Sequence, residues 1–576
     1  MDNKGVAAIF EEMSNILDIA GANFFRVNAY KKASLTILNM AEDLREIVKR
    51  NPDELLAIPG IGKDLKNKIV ELVLSGKCEE HERMKKSIPE GLLQMLELRG
   101  VGPKKVKALY LNLAVKNIEE LKKAAEKGLI RSLPKMGEKT EQEILKAIKE
   151  HSMFSTKRFM INEALIEANR LVSYMEKCPE IKKIQYAGSL RRRQETIGDI
   201  DILTTVADPV ESHEEVMEHF VNYDEVLNIS ARGDTRSAIL LKSGINVDLR
   251  VIEDKSFGAA LHYFTGSKEH NVRIRDIAKK DGLKISEYGV FKGEKMIGGK
   301  TEEEVFASVG LPFIIPEIRK NEGEFEYAMK HKKMPDFIEL EDIRGDLHNH
   351  SVYSDGKNTI EEMAEVFIKG GYEYFAMTDH SKVVGVTGGM DKKKIMEQWK
   401  EIDVLNKKLK GKIRILKGCE VDILKDGALD FEDEVLKNLD VVVISAHLHG
   451  RLPAEEQTRR LIRAIENSYS MILGHPTGRL INKRSPMEFD MAKVIDACVA
   501  NKVAMEINSN PMRLDISDKY VKMAKDKGAK FVIDTDSHEV SHPAFMEFGV
   551  GIARRGWLTK KDVLNAWSLK EFDSYF

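Results

Sequence analysis

The sequence predicts a multidomain protein with an all-α N-terminal quarter, an α+β middle and a C-terminal α/β domain. Three observations carry this expectation. Residues 5–150 place apolar side chains at three- and four-residue spacing (Ile9, Met13, Ile16, Leu17, Ala20) and hold few strand-like runs. From about residue 155, short β-rich runs sit between helices and turns. From Arg344 onward, strand and helix patterns alternate for more than 200 residues, as in a parallel sheet, closed or open.

A chain of 576 residues has room for several domains, and 42% hydrophobic with 32% charged residues suits packed cores under a solvated surface. The net charge of -2 neither demands nor excludes a polyanionic partner. Residues 1–150 hold 27 Lys and Arg against 23 Asp and Glu, and the excess sits in Lys104 to Lys149, so any nucleic-acid contact must come from local placement. The four cysteines (Cys78, Cys178, Cys419, Cys498) form no CxxC pair, which suits free thiols in a reducing compartment. The first residues are acidic where a signal peptide needs an apolar run, and no apolar segment is long enough to span a bilayer. A soluble, cytoplasmic protein without membrane association is the expectation.

In the helical region one local pattern recurs at 58–63, 98–103 and 133–138, each time before an amphipathic helix. Gly60 and Gly62 flank Ile61, and Gly100 and Gly102 flank Val101, while the third copy lacks its first glycine. Gly-hydrophobic-Gly lets the chain turn tightly and brings free N–H groups, plus the positive end of the following helix, up to an anion. Lys63, Lys104 and Lys105 stand where a phosphate would arrive. This is the helix-hairpin-helix pattern, which grips phosphates without reading sequence. A glycine-rich helix connection, or a solenoid of this period, is the bland alternative.

In the middle block, strands are expected at 181–187, 200–206, 237–241 and 246–252. The run from Gly188 to Asp201 reads Gly-Ser-Leu-Arg-Arg-Arg-Gln-Glu-Thr-Ile-Gly-Asp-Ile-Asp. Gly188 and Ser189 end a strand and should open a helix, offering N–H groups and a hydroxyl to phosphates, with Arg191, Arg192 and Arg193 adding charge. Asp199 and Asp201 leave the same face of a strand. Asp248, the lone acid in an apolar run, is the candidate third carboxylate. Three carboxylates suit Mg²⁺ and an in-line nucleotidyl transfer. Residues 312–335 contain three prolines around a charged centre and read as a linker.

The C-terminal domain opens with His348 and His350, two apart at a strand end. Asp355, His380, Glu420, His447, His475, Asp536 and His538 follow, nearly all at ends of expected strands. In a βα barrel such ends converge, and an imidazole-rich set suits Zn²⁺ or Mn²⁺. Nine ligand-type residues at such places can hold a cluster of two or three ions, Glu420 among them. His449 is an additional histidine that leaves open which of it and His447 is the ligand.

The middle segment closely resembles the palm of family X DNA polymerases. Tyr263, Phe264, Gly266 and Ser267 fall in a run similar to the family's YFTGS motif, and Asn28-Ala-Tyr30 resembles the start of its small DNA-binding domain. The resemblance implies that Asp199, Asp201 and Asp248 form the catalytic metal triad, binding Mg²⁺ or Mn²⁺. Gly188, Ser189, Arg192, Tyr263, Phe264, Gly266, Asn271 and Arg275 would form the nucleotide site. Lys68 falls on the Schiff-base lysine of members with lyase activity, although a phosphate-gripping lysine would look the same. The C-terminal succession resembles the PHP phosphoesterase domain, whose nine ligand positions are all filled here, which implies up to three Mn²⁺ or Zn²⁺ ions, with Glu420 bridging two of them, and metal-activated water attacking a phosphodiester. K⁺ or Na⁺ at the hairpins is a further expectation.

The full organisation expected from the resemblance is a lyase-like helical domain (1–80) and fingers (81–152), followed by a nucleotidyltransferase palm (153–252) and a thumb (253–316). A linker (317–340) then leads to a distorted (β/α)₇ PHP barrel (341–576). It implies a monomeric DNA-directed DNA polymerase that fills gaps in base-excision-type repair. The partners would be dNTPs and gapped, nicked or primer-template DNA. PHP-dependent 3′–5′ exonuclease activity is expected, with AP-endonuclease or 3′-end cleaning beside it. The alternatives are an inert DNA-binding scaffold and a phosphoesterase whose polymerase-like half is regulatory.

Overall fold

A computed structural model describes the chain except for residues 2, 39–43, 59, 90, 99, 135, 155–157 and 207–211. Pro59, Arg99 and Lys135 of the three hairpin patterns thus lie outside the described residues. The chain divides into two compact units, residues 1–157 and 158–576.

The first unit is helical throughout its described residues, as the periodicity predicts. Phe10, Met13 and Ile16 from the helix Asn3–Ala20 are buried together with Ile37, Ile69 and Leu72 in one core. A second core gathers Leu98, Val106, Leu109, Leu121 and Ile144. The hairpin patterns join helices around these two cores. Helix Lys63–Ser75 starts at Gly62 and helix Pro103–Leu113 at Gly102, neither with a side-chain cap.

The second unit opens with β1 (Phe159–Met160) against β3 (Thr196–Ile197), which flank a larger sheet. That sheet has the order β2-β4-β7-β6-β5, with β2 at Ile181–Tyr186, β4 at Asp199–Val206, β5 at Val226–Arg232, β6 at Arg236–Leu241 and β7 at Asn246–Val251. Strands β4 and β7 run parallel and pair Asp201 with Asp248, while the other pairings are antiparallel. Ile200 and Ile202 point into the core, so Asp199 and Asp201 emerge on the opposite face. Edge strand β5 escapes the sequence pattern because it is mostly exposed and carries Asn228, Ser230 and Arg232 among its apolar residues.

Next come three short antiparallel strands, β8 (Leu283–Ser286), β9 (Gly289–Lys292) and β10 (Lys295–Gly298), packed with helices around Ile274, Phe306 and Phe325. The stretch 317–340 is no free linker. It contains the helix Glu324–His331, whose Phe325 and Ala328 are buried in this core, and Ile338 is buried in the next one. Arg319 is fully buried and paired with Glu302 at 2.6 Å. Apolar residues hidden among charged ones make such a segment look linker-like in sequence.

Seven parallel strands in chain order complete the unit: β11 (Gly345–Asp346), β12 (Tyr374–Met377), β13 (Arg414–Asp422), β14 (Val441–Ser445), β15 (Ile472–Leu473), β16 (Ala504–Asn508) and β17 (Phe531–Asp534). The sheet is nearly closed. The backbone around His348–His350 bridges Ser537 beyond β17, with the His350 N–H donating to the Ser537 carbonyl at 2.8 Å. Both faces of the strands are covered, which is why they read as nearly continuous apolar runs.

Candidate active sites

Two centres stand apart in the second unit, and the hairpins in the first form a third feature. At the hairpins, Gly60 has φ +90° and Gly100 has φ +77°, a left-handed turn that only glycine adopts at little cost. The uncapped first turns after Gly62 and Gly102 leave N–H groups without helical partners beside Lys63 and Lys104. The third copy differs in charge as well as in its missing glycine. Fully buried Glu141 from its following helix accepts from the N–H groups of Ile130 and Arg131, at 3.0 Å each.

Lys68 is buried, hydrogen-bonded to Asp64, 3.9 Å from Glu80 and 6.0 Å from the Tyr30 ring centroid. Burial pulls its ammonium down, but the Asp64 bond and Tyr30 outweigh it and raise it above the usual lysine value. A nucleophilic amine requires the opposite displacement.

The first centre is an open cleft of about 640 Å³ lined by Gly188, Ser189, Arg192, Asp199, Asp201, Tyr263, Phe264, Gly266, Asn271 and Arg275. The sequence-flagged nucleotide residues thus share one wall-to-wall site. Gly188 opens a short helix at φ +60°, and a Cβ there would come within 2.4 Å of an Asp201 carboxylate oxygen. Burial, with Asp199 and Asp248 nearby, pushes the Asp201 carboxyl up to about 6. Asp248 is held by Arg236 through contacts of 2.7 and 2.8 Å. An arginine there balances mutually repelling carboxylates, and sequence alone did not flag it.

Of the three consecutive arginines only Arg192 lines the cleft. Its Nη1 donates to the Thr265 carbonyl, and its buried Nε has no protein partner. Arg191 turns away to Glu302 and Thr265, and Arg193 to Glu547 at 3.0 Å. Asn271 donates to the Tyr263 carbonyl at 2.7 Å and accepts on its own carbonyl from Arg275 at 3.0 Å, which locks the two helices bearing the aromatic pair and these polar groups.

The second centre lies at the barrel mouth, where the sequence-flagged ligands meet. Glu420 has five imidazoles around its carboxylate: His380 at 2.8 Å, His475 at 2.9 Å, His447 at 3.3 Å, His348 at 3.4 Å and His350 at 3.7 Å. Asp536 lies 3.3 Å from His350, and Asp355 lies 3.4 Å from His538. Four overlapping groups bring ligand atoms within 4.8 Å of one another, and together they contain all nine residues. Glu420 belongs to two of these groups. Exposed His449 belongs to none, which favours His447 as the ligand.

The donor set fits cations. Both nitrogens of fully buried His350, and one each of His348, His447 and His475, lack a hydrogen-bond partner, a costly arrangement for desolvated polar atoms unless something else binds them. Among the described residues, such close groups occur only here. The Asp199, Asp201 and Asp248 set is more open, as repulsion and Arg236 dictate.

Electrostatics in the mouth are strongly coupled. Burial works against charge on His348, but Glu506, Glu420 and Asp536 hold it well above its ordinary value. Burial, with His538 and His380 adding to it, drives His350 down to about 3. Glu506, missed in the sequence, is fully buried, accepts from His348 Nδ1 at 2.5 Å and accepts the His475 N–H. It orients one ligand ring from behind, as outer carboxylates do at metal sites. A lone acid in the apolar strand β16 was its available signal, the same signal that marked Asp248.

Family models match several stretches. A helix-hairpin-helix domain matches residues 1–78, and a SAM-like helix-hairpin-helix tandem matches 92–150. The DNA polymerase beta thumb matches 260–320, and the PHP domain matches 346–510. The chain is 38% identical to the DNA polymerase/3′–5′ exonuclease PolX of Bacillus subtilis (strain 168), over 100% of this chain and 99% of that protein. It is also 29% identical to a probable phosphatase of Thermoanaerobacter sp. (strain X514), over 38% of this chain and 89% of the relative. A probable phosphatase of Acetivibrio thermocellus is 30% identical over 34% of this chain and 78% of the relative.

Proposed function

The chain belongs to the PolX-type family X DNA polymerases, and on that premise we propose that it fills short gaps in DNA from the cleft and processes 3′ ends at the barrel mouth. What carries the reading is the presence of two separate ligand sets in one compact unit. One is a carboxylate set inside a basic, aromatic cleft; the other is nine clustered imidazoles and carboxylates.

In the cleft, the N–H groups of Gly188 and Ser189 and the guanidinium of Arg192 hold the triphosphate of a dNTP. Tyr263 and Phe264 pack on its sugar, while Asn271 and Arg275 orient the nascent pair. Asp199, Asp201 and Asp248 hold Mg²⁺ or Mn²⁺. At the mouth, the nine residues would hold up to three Mn²⁺ or Zn²⁺ ions, with Glu420 a member of two of the ligand groups. Divalent ions in such centres activate an oxygen nucleophile and neutralise charge on the phosphoryl group in flight. The protein's own part is to fix the ligands through Glu506 and to exclude bulk water by burial.

The uncapped turns after Gly62 and Gly102 support duplex phosphate gripping by the first unit, with Lys63 and Lys104 adding charge and K⁺ or Na⁺ a candidate companion. Lyase chemistry at Lys68 would require its buried ammonium, bonded to Asp64 and held above the usual lysine value, to lose its proton first. The proposed domain boundaries remain those of the sequence, with 317–340 reassigned to a packed connection. The protein acts as a cytoplasmic monomer. No helix among the described residues is long and apolar enough to cross a membrane.

A second reading, a phosphoesterase acting on small substrates, draws support from the probable phosphatases. The complete nucleotide cleft weighs against it. The test compares filling of a one-nucleotide gapped duplex with extension of an open primer-template, and follows 3′ shortening and incision at an abasic site with Mg²⁺, Mn²⁺ or Zn²⁺. Faster gap filling and metal-dependent 3′ shortening are expected. A chain that neither extends nor shortens DNA with any of these ions contradicts the proposal.

A further inference from the structure

Beside the barrel mouth lies a second cavity, of about 640 Å³, whose wall is basic. It is lined by Arg451, Lys483 and Arg484, with Leu452 and Met487 as apolar floor and Glu488 as its single acid. It shares His447 and Arg484 with the ligand-lined cavity of about 520 Å³, so the two are continuous. Its cations are not spent on internal pairs. The Arg451 side chain makes no hydrogen bond or ion pair among the described residues, and the Lys483 ammonium reaches only the Met512 sulfur, at 4.0 Å. Arg484 uses its Nε on the Gly478 carbonyl at 2.8 Å, which leaves its other nitrogens free to turn to the cavity. On the ligand side, Arg513 contacts Asp536 at 3.2 Å, and its buried Nη1 has no partner.

The loop carrying Lys483 and Arg484 is braced. Leu480 and Arg484 exchange backbone hydrogen bonds, the Met487 N–H donates to the Thr477 carbonyl at 2.8 Å, and the Ile481 N–H donates to the Met512 carbonyl at 2.7 Å. Unpaired cations, two of them on a fixed loop, running away from the ligand-lined cavity, are what a polyanion longer than one phosphate requires. A small phosphate ester would need only the ligand-lined cavity.

We propose that Arg451, Lys483 and Arg484 bind the backbone phosphates of a single polynucleotide strand whose 3′ terminus enters the barrel mouth. This rests on the exonuclease reading and supplies its substrate track, on which the cations hold the phosphates upstream of the scissile bond. Strand length is therefore read at a place separate from the ligands that hold the reacting phosphate.

The test uses the full chain with Mn²⁺, a single-stranded DNA 20-mer and bis(p-nitrophenyl) phosphate as a small diester. The double variant Arg451→Gln/Lys483→Gln is compared with the charge-keeping Arg451→Lys/Lys483→Arg. The expected result is a KM for the 20-mer raised about tenfold in the neutral variant, with kcat and small-diester hydrolysis within about twofold of wild type, and KM restored in the charge-keeping variant. The slope of log KM against log salt should fall by roughly 1.4, two strand contacts at about 0.7 each. An unchanged KM, or equal losses on both substrates, overturns the proposal. A wild-type chain that cleaves the small diester but leaves the 20-mer intact overturns the exonuclease reading itself.

Discussion

At the barrel mouth, His538 shows how far neighbours outweigh burial. Burial pulls its imidazole down, yet Asp355 and Asp536 hold the proton up to about 9. Metal ligands must be deprotonated, so cation uptake at neutral pH has to expel protons from this cluster. Titration of Mn²⁺ into the metal-free protein in two buffers of different ionisation enthalpy should show proton release, and affinity should rise from pH 6 to 9. A pH-independent affinity would contradict the ligand assignment. A second residue prediction concerns Glu302, nearly buried between Arg191 and Arg319. Burial works against its charge, but Arg319 and Arg191 lower the carboxyl to about 2. Because the folded value lies below the unfolded one, its stabilisation is complete above about pH 4.5 and is lost as pH falls towards 2. Glu302→Gln leaves buried Arg319 unpaired and should cost about 3–5 kcal/mol near neutral pH. Urea midpoints measured from pH 7 to 2 should fall less steeply in the variant than in wild type.

At the scale of elements, the stretch 317–340 separates two readings. A tether would tolerate Phe325→Ala, whereas a helix whose Phe325 is fully buried should lose about 3–5 kcal/mol in a denaturant melt. The strands β12 to β17 were legible because buried parallel strands are short apolar runs between helices. Strands β5 and β8 to β10 were not legible, because β5 is a polar edge strand and the others are four-residue strands that resemble turns. The same limit hid the divergence of Arg191, Arg192 and Arg193. Consecutive cations look alike in sequence, and only the partners Glu302 and Glu547, far along the chain, turn two of them from the cleft. Ligand identity was far more legible. Nearly all of the nine stood at ends of expected strands, and the convergence of strand ends did the rest. Glu506 went unseen although it is a lone acid in an apolar strand, because it sits behind a ligand ring, and Arg513 because no motif surrounds an arginine in the loop after β16.

At the scale of the second unit, the sheet domain and the barrel are tied by charge. Glu195, in the loop between Arg192 and Asp199, accepts from Arg479 at 2.8 Å, and Asp518 pairs with both Arg555 and Lys320. The apolar core also runs from the sheet domain into the barrel. The two ligand sets nevertheless share no residue, so their chemistries should separate by substitution. The most direct test is a one-nucleotide gapped duplex and a matched 3′-labelled primer, given to wild type, Asp199→Ala/Asp201→Ala and His348→Ala/His350→Ala. The account predicts that the first variant loses synthesis and keeps 3′ degradation, while the second keeps synthesis and loses degradation. Loss of both activities in either folded variant would contradict two independent centres.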